Sequence, residues 1–402
     1  MKIYLDNCAS TKVSPETAKA IYFAMTETYA NPSALHTAGQ EAERLVKQAR
    51  QQIAFTLGVK TSSVIFTSGG TEANNLALST VKKGKLLISG VEHPSVYAAA
   101  DALASNGVDV KSIPVLGIKS DYPGMVDVSE LRTLLDDDVS LISVQHVNNE
   151  IGTIQPIEEI SRIINLYNAE HGTGIRFHVD AVQSYGKIVI DAENGDFKNV
   201  DMISISAHKI HGPKGIGALY AASPAKLHPI IFGGGQEQGI RSGTENVPGI
   251  VGLGSSSRFA SSDYVSHAKQ ANTCRRRLLE GILDGISNVQ INSPTDASIT
   301  GKPGCSSPYI LNVSFPSTRG EVLLHELEKS GIFVSTGAAC SSLEKGDKKG
   351  RDTLAAIGVT GEAAEGALRF GFSWENTNEE IDFVIDRLKK AVERFRRVGS
   401  YR

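Results

Sequence analysis

The sequence predicts an α/β fold: a large domain with a mainly parallel sheet covered by helices on both faces, then a smaller α+β domain. Two observations predict it. Over the first two thirds of the chain, short apolar runs of strand length alternate with helical patterns. Those runs are continuously apolar, as strands buried on both faces must be. After the glycine-rich stretch "GGGQEQGIRSGTENVPG" the rhythm changes to a long charged helix and fewer strands.

Taken in order, residues 1–14 hold a short strand and read as an amino-terminal segment packing with the small domain. Ser14-Pro15-Glu16 then places an N-cap before proline at the first helical position. The stretch "AERLVKQARQQIAF" carries Ala42, Leu45, Val46, Ala49 and Ile53 at helical spacing. Strands are expected at "SVIFTSG", "GKLLISG", "DVKSIPV", "VSLISVQHV", "GIRFHVDA", "VDMISISAHK" and "GIGALYAA". Helices such as "TEANNLALSTVKK", "PSVYAAADALASNG" and "ISRIINLYNAE" lie between most of them. The large, cofactor-binding domain is expected over 15–260 and the small one over 261–402. The small domain begins with the helix "SHAKQANTCRRRLLEGI" and carries strands at "VQINS", "YILNVSF", "IFVSTG" and "ALRFGFS". It closes on a helix opened by a capping box, Thr377 to Glu380, with Ile381, Val384, Leu388, Ala391 and Phe395 on one face.

Composition bounds the function. The 402 residues are 41% hydrophobic and 21% charged, with a net charge of -3. That is ordinary for a soluble globular protein and offers no general surface for nucleic acid or anionic lipid. No apolar run approaches the ~20 residues needed to cross a bilayer, and "MKIYLDNCAS" lacks the pattern of a signal peptide. The 4 cysteines, Cys8, Cys274, Cys305 and Cys340, are far apart with no CxxC pair. A disulfide scaffold and a structural zinc site are therefore not expected, and a reducing, cytoplasmic location is.

Ligands of open parallel sheets gather at the carboxyl ends of the strands, so the residues following each strand sample the site. After "VIF" comes Thr67-Ser68-Gly69-Gly70-Thr71-Glu72, where small residues and a hydroxyl at a helix start suit a phosphate. Taken alone, it is the ordinary turn that opens a helix. After "LLISG" comes Glu92-His93-Pro94, whose histidine can stack on a ring and move protons, or simply occupy a turn. Two further strand ends give Gln145-His146-Val147-Asn148-Asn149-Glu150 and Val179-Asp180-Ala181-Val182-Gln183. A carboxylate with amides suits a heteroaromatic ring better than a glycosidase pair of acids.

Ser206-Ala207-His208-Lys209 closes the strand "DMISIS". A lysine there is hard to desolvate while charged, so its pKa should fall, as a Schiff-base amine requires. Lys214 in "GPKG" competes, but a glycine-bounded turn leaves it solvated, and "GPKGIG" lacks the order of a P-loop. Together these residues describe a pyridoxal 5'-phosphate site. Lysine would hold the aldehyde, Asp180 the pyridinium nitrogen, amides the ring oxygen, and hydroxyls with small residues the phosphate, with His93 over the ring.

At "HVNNEIG", "HVDAVQSYGK", "SAHKIHGPKGIGALY", "RSGTEN" and "STGAACSS" the chain resembles the cysteine desulfurases of the NifS/IscS type, within the class V aminotransferase group of fold type I pyridoxal phosphate enzymes. The resemblance runs from "YLDNCAST" to "RFGFS". It implies that Lys209 carries the cofactor, that His93 stacks on the ring and assists proton transfer, and that Asp180 pairs with the ring nitrogen. It places Gln183 at the ring oxygen and Asn149 at that oxygen or the substrate. Gly70, Thr71, Ser206 and His208 would bind the phosphate. Thr244 would reach the phosphate of a partner subunit, making a homodimer part of the site, and Arg369 would clamp the substrate carboxylate. From the residues alone, Arg369 is as readily a surface strand arginine.

The resemblance also implies that Cys340 is the nucleophile. It would take sulfur from L-cysteine as a persulfide, leave L-alanine, and pass the sulfur to an acceptor such as an iron–sulfur scaffold or a tRNA-thiolation sulfurtransferase. Glycine and small residues before Cys340 and the charged "LEKGDKKG" after it read as a segment able to move. "STGAACSS" resembles the longer-loop branch of the family, not the "RTGHHC" branch of selenocysteine lyases. Of the other cysteines, Cys8 reads as a packing or turn residue, Cys274 as a helix-face residue and Cys305 as an inert loop thiol. The competing readings are a selenocysteine lyase or aminotransferase on the same fold, and a non-catalytic sulfur carrier.

Overall fold

The computed structural model describes residues 2–336 and 352–399. Twelve strands lie within these residues: β1 (Ile3–Tyr4), β2 (Val64–Thr67), β3 (Lys85–Ser89), β4 (Asp109–Ile113), β5 (Val139–Gln145), β6 (Arg176–Asp180), β7 (Met202–Ser206), β8 (Gly217–Ala221), β9 (Gln290–Ile291), β10 (Ile310–Ser314), β11 (Ile332–Phe333) and β12 (Ala367–Gly371). Seven of them form the main sheet in the order β2-β8-β7-β6-β5-β3-β4. Successive residues of these strands point to opposite faces, and both faces are covered. Phe66, Leu87, Val179 and Ile203 pack on one side with Ile53, Ile160 and Leu253 from helices. Ile65, Leu86, Leu141 and Met202 pack on the other with Leu76, Val96 and Ala100. Dual burial is why the strands read as unbroken apolar runs, and the predicted α/β class is what forms.

One strand departs from the parallel pattern. β8 runs antiparallel between β2 and β7, with Gly217 opposite both Thr67 and Ser206. The start of β8 therefore sits between the finishing ends of two site-bearing strands. Only glycine fits there: a Cβ on Gly217 would lie 2.5 Å from the Ile205 carbonyl oxygen and 2.8 Å from Gly69 backbone atoms. The "GPKGIG" sequence thus serves packing between the turn at Gly70 and the strand leading to Lys209.

A second core surrounds the antiparallel sheet β12-β10-β9. The carboxy-terminal helix covers it with Ile381, Val384, Leu388 and Ala391, and its capping box is formed: the Thr377 N–H donates to Glu380 at 3.2 Å and the Glu380 N–H to Thr377 Oγ1 at 3.3 Å. The free edge of β12 is closed by two other parts of the chain. Arg369 exchanges backbone hydrogen bonds with Ser335, just beyond β11, at 2.7 and 3.2 Å. Gly371 does the same with Leu5 and Asn7 at 2.6 and 3.2 Å, while β1 pairs with β11. Among the described residues, no helix is long and apolar enough to cross a membrane.

Candidate active site

The main sheet delivers polar residues at one edge. Gln145 lies opposite Asp180, so β5 and β6 end level, and Asp180 lies opposite Ser204, so β7 runs two residues further to Ser206. Beyond β7, a turn over Ala207–Lys209 carries the lysine into the crevice. Its ammonium donates to the backbone carbonyls of Cys8 at 2.5 Å and Ala9 at 2.9 Å. Burial pulls its pKa down to about 8, and the neighbouring Lys187 ammonium pulls the same way. Lys214 is exposed.

Asp180 is buried and accepts from Asn74 Nδ2 at 2.7 Å and from the Val182 N–H at 2.9 Å. These bonds leave acceptor sites on a carboxylate that has about four. His93 caps the helix Pro94–Ser105, where its Nδ1 accepts from the Ser95 N–H at 3.1 Å. Burial lowers the His93 pKa, Asp180 raises it and Lys209 lowers it, so acid, imidazole and amine share one field. Gln183 donates from Nε2 to the Cys8 carbonyl at 2.9 Å, the same oxygen that Lys209 contacts.

The turn after β2 supplies the other side. Gly70 opens the helix Gly70–Leu78, and a Cβ there would come within 2.6 Å of Val182 and 3.8 Å of the Ser206 Cβ. Glycine keeps this helix start low against β6 and β7. Ser206 is buried, whereas the Thr71 side chain is exposed. His208 stands 3.4 Å from Ser10, and burial holds its imidazole at about 4, with Lys209 next in effect, so the ring is neutral at pH 7. Thr244 is exposed, on a segment tied to this turn by the Arg241–Glu72 ion pair at 2.9 Å.

Arg369 comes from the small sheet and meets the others across the crevice. It is buried, with Nη1 donating to the Asn149 carbonyl and Nη2 to Asp6, both at 3.1 Å. Burial opposes its charge, but Cys8, Asp6 and Glu150 hold its pKa above the ordinary value. Its Nε is buried without a partner among the described residues, a donor left for something else. The surface-arginine alternative is set aside by this burial.

Cys340 lies outside the described residues. The chain on either side of it is tied to this crevice: Ser335 to Arg369 as above, and Thr353 to Asn148 Nδ2 at 3.3 Å. The other three cysteines are poor nucleophiles. Cys8 and Cys274 are buried, Cys305 partly so, and burial raises the pKa of all three thiols.

The sequence reading gave no role to several residues that the fold brings in. Asn74 and Asp6 had no visible signal, because each is one polar residue in an otherwise unremarkable segment. Glu92 and Glu150 sit inside quoted motifs, and burial pushes each up to about 8, so both carboxyls are largely protonated at pH 7. Glu92 accepts from Ser89 and from the Gln145 N–H, while Glu150 faces Asp352, Arg369 and Thr353. His146 is structural: fully buried, edge-on to Phe197, with a pKa held down to about 3.

A family model described as Aminotransferase class-V matches residues 3–384. "Cysteine desulfurase IscS" of Dictyoglomus turgidum is 38% identical over 407 residues, covering 100% of this chain and 97% of that protein. A solved "NifS-like protein" superposes with a TM-score of 0.86 at 36% identity, over 98% of this chain and 100% of its own. A structure described as "SspA in complex with cysteine" gives a TM-score of 0.76 at 33% identity, over 94% and 100% of the two chains.

Proposed function

We propose, on the premise that the chain belongs to the class V aminotransferases and is a cysteine desulfurase, that it uses pyridoxal 5'-phosphate to take sulfur from L-cysteine onto Cys340. The residues present fit that cofactor. A primary amine with a depressed pKa, a buried carboxylate on the next strand and a glycine-walled helix start form the matching donor set. When bound, pyridoxal phosphate supplies an aldehyde that captures the amino group and a conjugated ring that accepts electrons.

The chain's own residues divide the remaining work. Lys209 holds the cofactor covalently and Asp180 balances positive charge at the ring nitrogen. Gln183 donates to the ring oxygen, with Asn149 beside it or the substrate. Gly70, Thr71, Ser206 and His208 hold the phosphate. His93 covers the ring and carries protons. Arg369 fixes the substrate carboxylate through its fork of donors. The Cys340 thiolate attacks the substrate sulfur, so that an S–S bond forms as the Cβ–S bond breaks. The electron pair stays with the carbon skeleton, which takes a proton and leaves as L-alanine. The persulfide then passes to an acceptor protein, an iron–sulfur scaffold or a tRNA-thiolation sulfurtransferase, in a reducing cytoplasm.

The single observation that carries the reading is the meeting of Lys209, Asp180 and His93, which follow β7, β6 and β3 of one sheet. Asn74 Nδ2 bonds both Asp180 and Ser95 Oγ, Ser95 Oγ lies 2.8 Å from His93 Nδ1, and Asp180 and Lys209 both shift the His93 pKa. A homodimer in which Thr244 reaches the partner's phosphate completes the site. Support for it comes from Thr244's own exposure and from large apolar side chains left in solvent, among them Tyr29, Leu35, Phe55 and Phe232 at 80–93% exposed. Support for a division into an amino-terminal segment (1–14), a cofactor-binding domain (15–260) and a small domain (261–402) comes from the two cores that lie wholly within 15–260. The core of the small sheet, however, also takes in Ile3, Leu5 and Cys8 and, from the large domain, Val147, Ile154 and Ile188.

The test is incubation with L-cysteine followed by intact-mass analysis. The expected result is about one added sulfur per chain, located on the peptide containing Cys340. Cys340→Ala should retain cofactor yet gain no sulfur. Desulfuration at the wild-type rate by that variant would sink the proposal.

A further inference from the structure

One buried charge near the site has no part in the chemistry so far. Lys187 follows β6 at the end of "QSYGK", is 7% exposed, and stands 5.4 Å from the centre of the Tyr309 ring. Among the described residues no carboxylate compensates it, and burial lowers its pKa. A buried ammonium without an acid costs stability, which makes a task for it worth seeking.

Its hydrogen bond shows the task. Lys187 Nζ donates to Gln183 Oε1 at 3.4 Å, and Gln183 Nε2 donates to the Cys8 carbonyl at 2.9 Å. An ammonium can only donate and a carbonyl can only accept, so the two neighbours agree on one orientation of the amide. Turned over, the amide would set oxygen against oxygen at Cys8 and N–H against N–H at Lys187. The Cys8 carbonyl also accepts from Lys209 at 2.5 Å, so a continuous chain of bonds joins the two lysines through Gln183.

We propose that Lys187 is a positioning residue that fixes the Gln183 amide with its N–H toward Lys209, so that a donor, not a carbonyl, meets the ring oxygen of the cofactor. This rests on the pyridoxal phosphate reading above. Gln183 Nε2 has a second hydrogen, free for that oxygen while the first stays on Cys8. The same arrangement brings a second positive charge close to Lys209, next after burial in lowering its pKa. Arginine, also donor-only, can replace Lys187 in this role, whereas an apolar or amide side chain cannot impose the orientation.

The experiment is a pH titration of the absorbance of the Lys209-bound cofactor in the holoprotein. Loss of the donor to the ring oxygen makes the linkage hold its proton more tightly. Lys187→Met should therefore raise the apparent pKa by about one unit, a tenfold gain in proton affinity. Lys187→Arg should restore the wild-type curve, and in a Gln183→Ala background Lys187→Met should shift it clearly less, leaving only the part due to the lost charge. If Lys187→Met does not fold, Lys187→Gln gives the same comparison. A folded holoprotein of either variant that titrates like wild type overturns the proposal. So does a shift that persists undiminished without Gln183, because charge alone would then be acting. Wild-type protein that binds no pyridoxal phosphate would overturn the cofactor reading first, and this role with it.

Discussion

The site draws on two sheets that reach it differently. The seven-stranded sheet offers side chains at strand ends, where each parallel strand stops and a turn begins, so Asp180, Ser206 and Lys209 arrive from one edge. The three-stranded sheet offers Arg369 from the middle of β12, aimed sideways and fixed by backbone bonds to Ser335. Residues at strand ends depend on their turns and on hydrogen bonds among side chains. A residue within a strand depends on the strand keeping its register. On the proposed function, the large sheet would hold the cofactor and the small sheet the substrate.

That division can be broken in three ways. The largest effect belongs to Lys209→Ala, which removes the proposed covalent anchor. Alanine release should fall roughly 10³-fold or more, measured with the cofactor's absorbance to show that it still binds. Near-wild-type turnover would mean that the large sheet does not hold the reacting group. Next is Arg369→Lys, which keeps the charge and β12 but loses the two-pronged fork. The KM for L-cysteine should rise roughly 10–100-fold with a much smaller change in kcat. An equal loss in cofactor affinity would show that the two sheets are not separate in function. Smallest is the pH dependence of cofactor uptake by the apoprotein. Burial pulls the Lys209 pKa down to about 8, and only its neutral amine attacks an aldehyde. The uptake rate should rise about tenfold per unit as pH approaches 8 and then level off. A profile flat from well below that pH would place the lysine in a different field.

The same contrast explains what was legible in the sequence. Strand ends announce themselves, since an apolar run followed by polar residues marks an edge, and the Lys209, Asp180 and His93 motifs are of that kind. Arg369 inside "ALRFGFS" could not be told from a surface arginine, because burial of one strand face depends on what packs over it. The antiparallel direction of β8 was equally silent: an apolar run does not carry its own polarity, and here β8 returns beside β7 after only residues 207–216, too few for a parallel crossover. Asn74, Asp6 and Lys187 gain meaning only from neighbours distant in sequence, as with Asn74 and Asp180, separated by 106 residues.

The amino-terminal strand has a consequence in time. Cys8 and Ala9 supply the carbonyls that receive the Lys209 ammonium, and the segment that carries them is held by Phe333 and Gly371. Residues made early therefore wait for partners made much later: Asn7 and Gly371 are 364 positions apart. At about 5–20 residues per second, that wait is on the order of half a minute. Through that interval the large sheet can form while this wall of the crevice stays open. Lys209 gains its finished surroundings only after Gly371 has been made.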